Sequence, residues 1–555
     1  MLRESAVPIT ETGDHSATPS RTDLATMALP LRPASPPSSH DGDDSDSITP
    51  AGEAGCCATT IAAGHDAARA GAAEAVSCPG ASPGGEKQGA SADAETGRVR
   101  LVRAGNTPFS LPRGSRLENN LSWVVGCLEL ANAGDFAANV WNQLPVPLFA
   151  AVLMGVGGTL AAFMSVFAFR DARRAWNNIR FLRRQRRQLR LQRQQQDQAP
   201  GGDGGKCSVE PAGRALDVLL AVSFRELGGE VINRWVMDVL MGFGAVLISA
   251  GTYMAIGGGT SDQVFAASNL LSGWLGNTPI AAFGLVNSAW AIYIWCKAQA
   301  HVCATRRLLP GSRAASLVKR RSRNVQVFCV INGSATILGG AGSMLTSIYW
   351  WGYVILIPVV ISSIFCNLWW RWRVGYTRSQ AWPNELRALE PSELATSLEF
   401  AARAEILLRE QQEQEQKKKR KKNKKHREQQ QQQQQITLLH RFVPDPSSLP
   451  DVLAFFHQHA LFEDLCLNLA SDPRLRDALC GANPGSELEV GPVEILALPA
   501  PLHPDVLNRA QECIGRVGQR HFRNRERHLA ELLGTYCTII GTVDLDMEDS
   551  SEKQR

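Results

Sequence analysis

The first 108 residues of the chain contain no Phe, Trp or Tyr, and Phe109 is the first aromatic residue. Ala, Gly, Ser, Thr and Pro dominate this stretch. Such a segment cannot bury enough apolar surface to offset the backbone entropy lost on ordering, roughly 1–2 kcal/mol per residue. The sequence therefore predicts a disordered tail over residues 1–115. Its start also lacks an apolar run after basic residues, so a cleavable signal peptide is not expected.

The 13 cysteines include no Cys-x-x-Cys pair. Their odd number and irregular spacing indicate neither a disulfide framework nor a zinc site. Cys296, Cys329 and Cys366 fall inside apolar runs, where a thiol behaves as a small hydrophobic group. We therefore expect no bound metal ion and no cofactor.

Charged residues are nearly absent from five apolar runs, in which Asp238 is the single Asp, Glu, Lys or Arg. A helix that crosses the hydrocarbon layer needs about 20 mostly apolar residues, whereas a soluble helix would carry charges along one face. The sequence therefore predicts an all-α fold, a polytopic transmembrane helix bundle of about five helices within residues 144–373. The predicted spans are Val146–Phe169, Trp235–Ile256, Thr278–Cys296, Val325–Leu345 and Trp350–Trp369.

The connections between these runs alternate in charge. Arg170–Arg193 carries ten arginines and one acid, and Lys297–Arg323 carries eight Lys or Arg and no acid. Gly257–Asn277 and Thr346–Tyr349 contain neither Lys nor Arg. Because short cytoplasmic loops carry the Lys/Arg excess, we expect an N-terminus outside or in the lumen and a cytosolic C-terminus, in the plasma membrane or an endomembrane. The sequon at Asn120 is then a candidate N-glycosylation site.

A weaker apolar segment, Leu121–Trp141, contains Glu129 and Asp135. We interpret residues 116–143 as an interfacial amphipathic segment at the membrane surface. The alternative is a sixth membrane segment, which would place the N-terminal tail on the cytosolic side. The Thr-Pro and Ser-Pro pairs of that tail favour this alternative if they are phosphorylated.

Three polar residues are candidate intramembrane sites, because polar groups in hydrocarbon are costly and often functional. Asn287 lies at the centre of the third run and Asn332 lies seven residues inside the fourth. We expect a structural hydrogen bond between these two amides, with solute binding as the alternative. Asp238 begins the second run, where we expect a solvated carboxylate rather than a proton carrier.

A stripe of small residues runs along the first span at intervals of four, three, four and three positions. Small side chains let another helix backbone approach closely. The pattern predicts a helix-packing seam, within the bundle or between the subunits of a homo-oligomer. The stripe consists of Ala151, Gly155, Gly158, Ala162 and Ser165.

The residues after the fifth run are predicted to form a helical, partly basic region in the cytosol. Residues 374–435 read as a long charged helix, of coiled-coil type, with a Lys-rich tract and a poly-Gln tract, and residues 436–543 as a helical domain. An acidic disordered tail, 544–555, ends the chain. We expect the basic segments, including the loop 170–234, to contact an anionic inner leaflet and the C-terminal region to bind protein partners. Nucleic-acid binding is disfavoured.

His459 and Asp464 have the His-x-x-x-x-Asp spacing of the catalytic pair of membrane glycerolipid acyltransferases. The other sequence blocks of those enzymes are missing. With eleven histidines in the chain, one match of this kind is expected by chance. We therefore predict a protein without enzymatic activity and assign no catalytic residue.

The stretches Gly276–Asn287 and Gly352–Arg373 resemble those of uncharacterised multi-pass membrane proteins of filamentous fungi. The resemblance covers only the membrane region and implies no activity. Our working hypothesis is a non-enzymatic membrane scaffold or adaptor that presents a basic cytosolic domain. The second hypothesis is a transporter or channel for small solutes or ions, and the third is an enzyme of lipid metabolism.

Overall fold

The structure, a computed structural model, describes residues 97–198, 206–257, 261–379, 390–421, 439–480 and 487–552, apart from gaps at 105–106, 113, 120–129, 132 and 142–145. Five of its helices are long and apolar enough to cross a membrane, which confirms the predicted polytopic helix bundle. The helices of the membrane region are α1 (Phe136–Val140), α2 (Leu148–Gln198), α3 (Lys206–Glu230), α4 (Met237–Ile256), α5 (Asp262–Asn269), α6 (Gly276–Leu308), α7 (Arg313–Thr346) and α8 (Gly352–Trp369).

A C-terminal domain follows α8. Its helices are α9 (Pro391–Lys421), α10 (Leu449–Gln458), α11 (Phe462–Ser471), α12 (Pro473–Cys480), α13 (Pro492–Leu496), α14 (His503–Cys513) and α15 (Gln519–Glu552). Short π-helical segments join consecutive helices at Val231–Val236, Leu270–Leu275 and Ile514–Gly518, and a fourth, Trp370–Val374, extends α8 toward β3. The long charged helix predicted within residues 374–435 is α9, which begins at Pro391. We call the end of the bundle that contacts the C-terminal domain the domain end, and the opposite end the far end.

The spanning helices extend well beyond the predicted apolar runs at the domain end. Helix α2 has 51 residues, about 76 Å at 1.5 Å per residue, against a hydrocarbon thickness of about 30 Å. Its polar half contains neither Gly nor Pro, and Pro200 follows its last turn. Because α2 is one continuous helix, its arginine-rich half continues the first span as far as Gln198, where the sequence analysis predicted a basic loop over residues 170–234.

One hydrophobic core joins these extensions to the C-terminal domain. Leu189 of α2, Leu219 of α3 and Leu317 of α7 belong to the same buried cluster as Phe456 and Phe522 of the domain. Burying apolar side chains on both partners stabilises their association in proportion to the area removed from water. The membrane helices and the C-terminal domain therefore form one packed body at the domain end.

Two short antiparallel strand pairs tie the N-terminal segment to the rest of the chain. Strand β1 (Val99–Val102) pairs with β4 (Glu487–Val490), and β2 (Arg116–Asn119) pairs with β3 (Tyr376–Ser379). Residues 99–102 lie in the stretch predicted to be disordered. Leu101, which is fully buried, anchors β1 in the core of the domain.

These strand pairs place residues 97–119 at the domain end, because β3 directly follows α8 and its π-helical extension. Asp135 lies toward the far end, since it accepts a 2.9 Å hydrogen bond from Tyr353 in the first turn of α8. The strands that precede the bundle and the domain that follows it therefore lie at the same end. This arrangement disagrees with the prediction, which placed the N-terminal segment opposite the C-terminal domain. Asn120, the predicted glycosylation site, lies outside the described residues.

Of the predicted interfacial segment, the structure describes residues 116–119, 130–131 and 133–141. The last part contains the single-turn helix α1, whose Ala137 and Ala138 pack on Met154 of α2 and Ala255 of α4. Gly134 contacts the backbone of Gly157 in the middle of the first span. Residues 133–141 are therefore packed into the bundle between α2 and α8, rather than spread on a surface as predicted.

The small-residue stripe of α2 faces α4 in part. Gly158 packs against the ring of Tyr253, and its carbonyl oxygen accepts a 2.8 Å hydrogen bond from Ser249. Gly155 has open space where a Cβ would lie. The tightest backbone contact of the helix is instead at Gly157, beside the stripe, where Gly134 approaches.

We predict that Gly157→Ala destabilises the protein by about 1–3 kcal/mol, because the new methyl group overlaps the carbonyl oxygen of Gly134. The measurement is thermal unfolding in detergent. Gly155→Ala, on the same helix with open space around it, is the matched control and should not lower the midpoint. Equal midpoints for the two variants would show that residues 133–135 do not pack on α2.

Candidate functional site

A cavity of about 40 Å³, with several polar groups in a largely apolar wall, lies within the bundle between the middle of α6 and the domain end. Asn287 of α6 and Asn332 of α7 line it, so the structure brings these two predicted residues together. The helix that precedes the second span adds Arg225, Glu226 and Asn233, none of which the sequence analysis singled out. The rest of the wall is apolar and consists of Gly229, Trp290, Ala291, Ile294, Val325, Phe328, Cys329, Trp370 and Val374.

The two asparagines do not hydrogen-bond each other as predicted. Nδ2 of Asn287 donates to Oγ1 of Thr336 at 3.0 Å, and the Thr336 hydroxyl donates to the backbone oxygen of Asn332 at 3.0 Å. Thr336 lies one helical turn beyond Asn332, on the face of α7 that packs against α6. The polar contact between the two helices therefore exists, with a threonine hydroxyl in the place of the second amide.

The two charged residues of the cavity wall each have a buried partner of opposite sign. Arg225 forms an ion pair with Glu531 of α15. Glu226 accepts hydrogen bonds from the Tyr376 hydroxyl at 2.7 Å and from Nε of Arg378 at 2.8 Å. Both pairs cross from α3 to elements that follow the last span, so the wall of the cavity also joins the membrane helices to the C-terminal part of the chain.

Asp238, predicted to be solvated, is fully buried. The charged groups near Asp238 are Asp171 of α2 and two residues that precede α4. Of these, Arg234 lies one turn and Glu230 two turns before Asp238. Arg234 donates to Asp171 at 3.2 Å and to Glu230 at 3.1 Å. The prediction of a solvated carboxylate is therefore wrong. Asp171 on α2 is 67 positions away from Asp238 in sequence, so the place of Asp238 in its apolar run does not reveal this contact.

Two buried arginines satisfy the carbonyl groups at the end of the fifth span. Arg321 of α7 donates to the backbone oxygens of Val374 at 2.5 Å and Arg373 at 3.2 Å. Arg527 of α15 donates to the backbone oxygens of Trp372 and Gly375. The last carbonyls of a helix have no partner within it and attract cations. Burial, and then the charge of Arg321, lowers the pKa of Arg527 to about 9.

A second cavity, of about 20 Å³, shares Arg225, Ile294 and Val325 with the first. It lies nearer the domain end, and its wall includes His301 and the exposed Lys297. The two adjoining cavities extend from the middle of the third span toward the surface beneath the C-terminal domain.

His459 and Asp464 contact different groups in the structure. The ring of His459 stacks on Phe400 with the centroids 4.2 Å apart, whereas Asp464 accepts a 2.8 Å hydrogen bond from Arg116 of β2. Burial, and then the charge of Arg525, lowers the pKa of His459 to about 3. His459 serves the aromatic core of the domain, and Asp464 helps to hold the N-terminal strand.

Comparison with protein-family models, with curated proteins and with solved structures finds no match for this chain. The resemblance of the membrane region to fungal membrane proteins therefore stays a prediction. Function has to be argued from the geometry of the cavity and of the domain end.

We predict that the protein loses stability as the pH falls below about 6.5, the ordinary pKa of histidine. Burial lowers the pKa values of His459, His521 and His528 to about 3 each. Between pH 3 and pH 6.5 the unfolded chain binds protons at these histidines that the folded chain does not bind. The free energy of unfolding is therefore undiminished above pH 6.5 and falls as the pH falls below it. Each histidine then contributes a loss of up to about 1.4 kcal/mol per pH unit.

The test compares thermal unfolding of the parent and of His459→Phe between pH 7.5 and 5. Phenylalanine keeps the stacking on Phe400 and removes one titrating ring, so the midpoint should fall less steeply with pH. His440→Phe, at an exposed position, should leave the dependence unchanged. Identical curves for parent and His459→Phe would contradict the assignment.

Proposed function

We propose that this protein is a non-enzymatic membrane scaffold that holds a rigid, partly basic domain against the cytosolic face of a membrane. The supporting observation is the single hydrophobic core shared by the extensions of α2, α3 and α7 and by the C-terminal domain. A domain attached by flexible linkers would move freely, whereas one that shares its core with membrane helices keeps a fixed position. Such rigidity suits a platform that positions partners near the bilayer.

The docking surface of this scaffold is the arginine face of α2. In the described part of the chain, none of its eight exposed arginines takes part in an ion pair, whereas Arg193 pairs with Asp197 and Asp217. The first three residues of the face lie within reach of anionic headgroups, and the others project farther, toward acidic protein partners. The face consists of Arg170, Arg173, Arg174, Arg180, Arg183, Arg184, Arg187 and Arg190.

The domain end faces the cytosol in this proposal. It carries the arginine-rich half of α2 and the basic connection between α6 and α7, in accord with the excess of positive residues in cytoplasmic loops. The strand pairs β1–β4 and β2–β3 then put residues 97–119 on the cytosolic side as well. In this proposal the chain therefore crosses the membrane once more between β2 and α2, which corresponds to the sixth membrane segment given as the alternative in the sequence analysis.

Single-cysteine variants at Ser110, Ser261 and Ser447, which are all exposed, test this orientation. The measurement is labelling by a membrane-impermeant maleimide in sealed vesicles whose interior corresponds to the cytosol. We expect Ser261→Cys to react at once, and Ser110→Cys and Ser447→Cys to react only after permeabilisation. Reaction of Ser110→Cys in intact vesicles would refute the proposal that the N-terminal strands and the C-terminal domain both lie on the cytosolic side.

A second candidate function is movement of a small solute across the membrane. It is favoured by the polar groups of the cavity that Asn287 and Asn332 line. Asn287 and Asn233 line it, and the Oδ1 atom of each has no hydrogen-bond partner among the described residues. A buried amide oxygen without a partner costs about 1–3 kcal/mol. In native proteins a buried polar group without a partner is explained by a bound water molecule or ion, by strain or by a functional role.

A flux screen in proteoliposomes decides between the two candidates. The scaffold proposal predicts no movement of ions or small polar solutes above the level of empty liposomes. If movement occurs and Asn287→Leu abolishes it in a folded protein, the scaffold proposal is wrong and transport is the function. Ser334→Leu, on an exposed face of α7, is the control and should have no effect on any flux.

A further inference from the structure

The orientation of the Asn287 amide follows from its neighbours. The Thr336 hydroxyl donates to the backbone oxygen of Asn332, so its oxygen is left to accept the hydrogen bond from Nδ2 of Asn287. This arrangement fixes Nδ2 toward Thr336 and leaves Oδ1 without a partner among the described residues. The unused acceptor belongs to a side chain that is 1% exposed and lines the cavity.

The size of the cavity limits what can lie beside that oxygen. A buried water molecule needs about 10–15 Å³ of cavity volume and two to four polar partners. The cavity of about 40 Å³ therefore has room for about two or three water molecules or one molecule of similar size. Oδ1 of Asn233 is a second unused acceptor, and Nε of Arg225 is an unused donor, among the described residues.

The charges of the wall disfavour an ion. A cation would face Arg225, and an anion would face Glu226 and the two amide oxygens. Because the two charged residues are of opposite sign and each has its own buried partner, the cavity carries no excess charge for an ion to neutralise. Its unused groups match an uncharged molecule that donates hydrogen bonds.

Among the described residues, close packing separates the cavity from the far end of the bundle. Toward the far end, a Cβ at Gly284 would lie 2.5 Å from the backbone oxygen of Thr336, which shows how closely α6 and α7 approach. Ile280 is buried there against Ile248 of α4. Toward the domain end, the second cavity continues past Arg225 to the exposed Lys297.

We infer that the cavity is a hydrated binding site for water or an uncharged hydrogen-bond donor of similar size, entered from the domain end and closed toward the far end. Asn287 and Asn233 accept the hydrogen bonds of the bound molecule. This site is the one that the transport candidate would use, but hydration does not require net transport. The inference can therefore stand or fall independently of the flux screen.

Two native cysteines provide a matched pair for the test. Cys329 lines the cavity, whereas Cys366 packs in the same apolar cluster but does not line it. Water that reaches a thiol exchanges its hydrogen for deuterium, which shifts the S–H stretching band in the infrared spectrum. The probe is D2O added to the full-length protein, and difference spectra of Cys329→Ala and Cys366→Ala assign the two bands.

We expect Cys329 to exchange at least tenfold faster than Cys366, and Asn287→Leu to slow the exchange of Cys329 toward the rate of Cys366. Equal slow rates would overturn the inference, because the cavity would then be dry. Equal fast rates would overturn it as well, since water would not be confined to the cavity. Fast exchange that persists in Asn287→Leu would remove the role assigned to that amide. Should Asn287→Leu fail to fold, the comparison of Cys329 with Cys366 in the parent still decides the question.

Discussion

The ion pair between Arg378 and Glu226 links most parts of this structure. Both side chains are almost completely inaccessible to solvent, so loss of either one would leave an unpaired buried charge, at a typical cost of about 3–5 kcal/mol. Arg378 lies in β3, opposite Leu117 of β2 in the strand pair. Glu226 lies on α3 and lines the cavity that Asn287 also lines. One ionic contact therefore fixes the N-terminal strand, the chain after the last span and the wall of the cavity at once.

The membrane region was predictable because each span is specified by its own residues. The five apolar runs located the spans. The extension of the spans into longer helices was missed because an apolar run ends at the first arginine, whereas residues that favour a helix continue beyond it. The strands β1 and β2 were missed for another reason. Their partners, such as Val490 for Val99, lie far along the chain, and no local pattern records such a pairing.

The candidate site was predictable to a similar extent. Asn287 and Asn332 were recognised because polar side chains stand out within apolar runs, and both line the cavity. Arg225 and Glu226 were not recognised, because they precede the second apolar run and read as part of a solvated loop. Gly228 and Gly229, which follow them, also lie inside the continuous helix α3. Only the packing of α3 against α6 and α15 shows that these charges are buried.

The continuity of α2 beyond the first span gives the proposed scaffold a lever arm. About 40 Å of helix extends beyond the hydrocarbon layer, so a change in tilt of about 5° displaces the distal end by about 3–4 Å. Helices tilt in response to bilayer thickness, and the shared core makes the C-terminal domain follow the helix. The lateral position of the arginine face therefore depends on the thickness of the membrane that holds the protein.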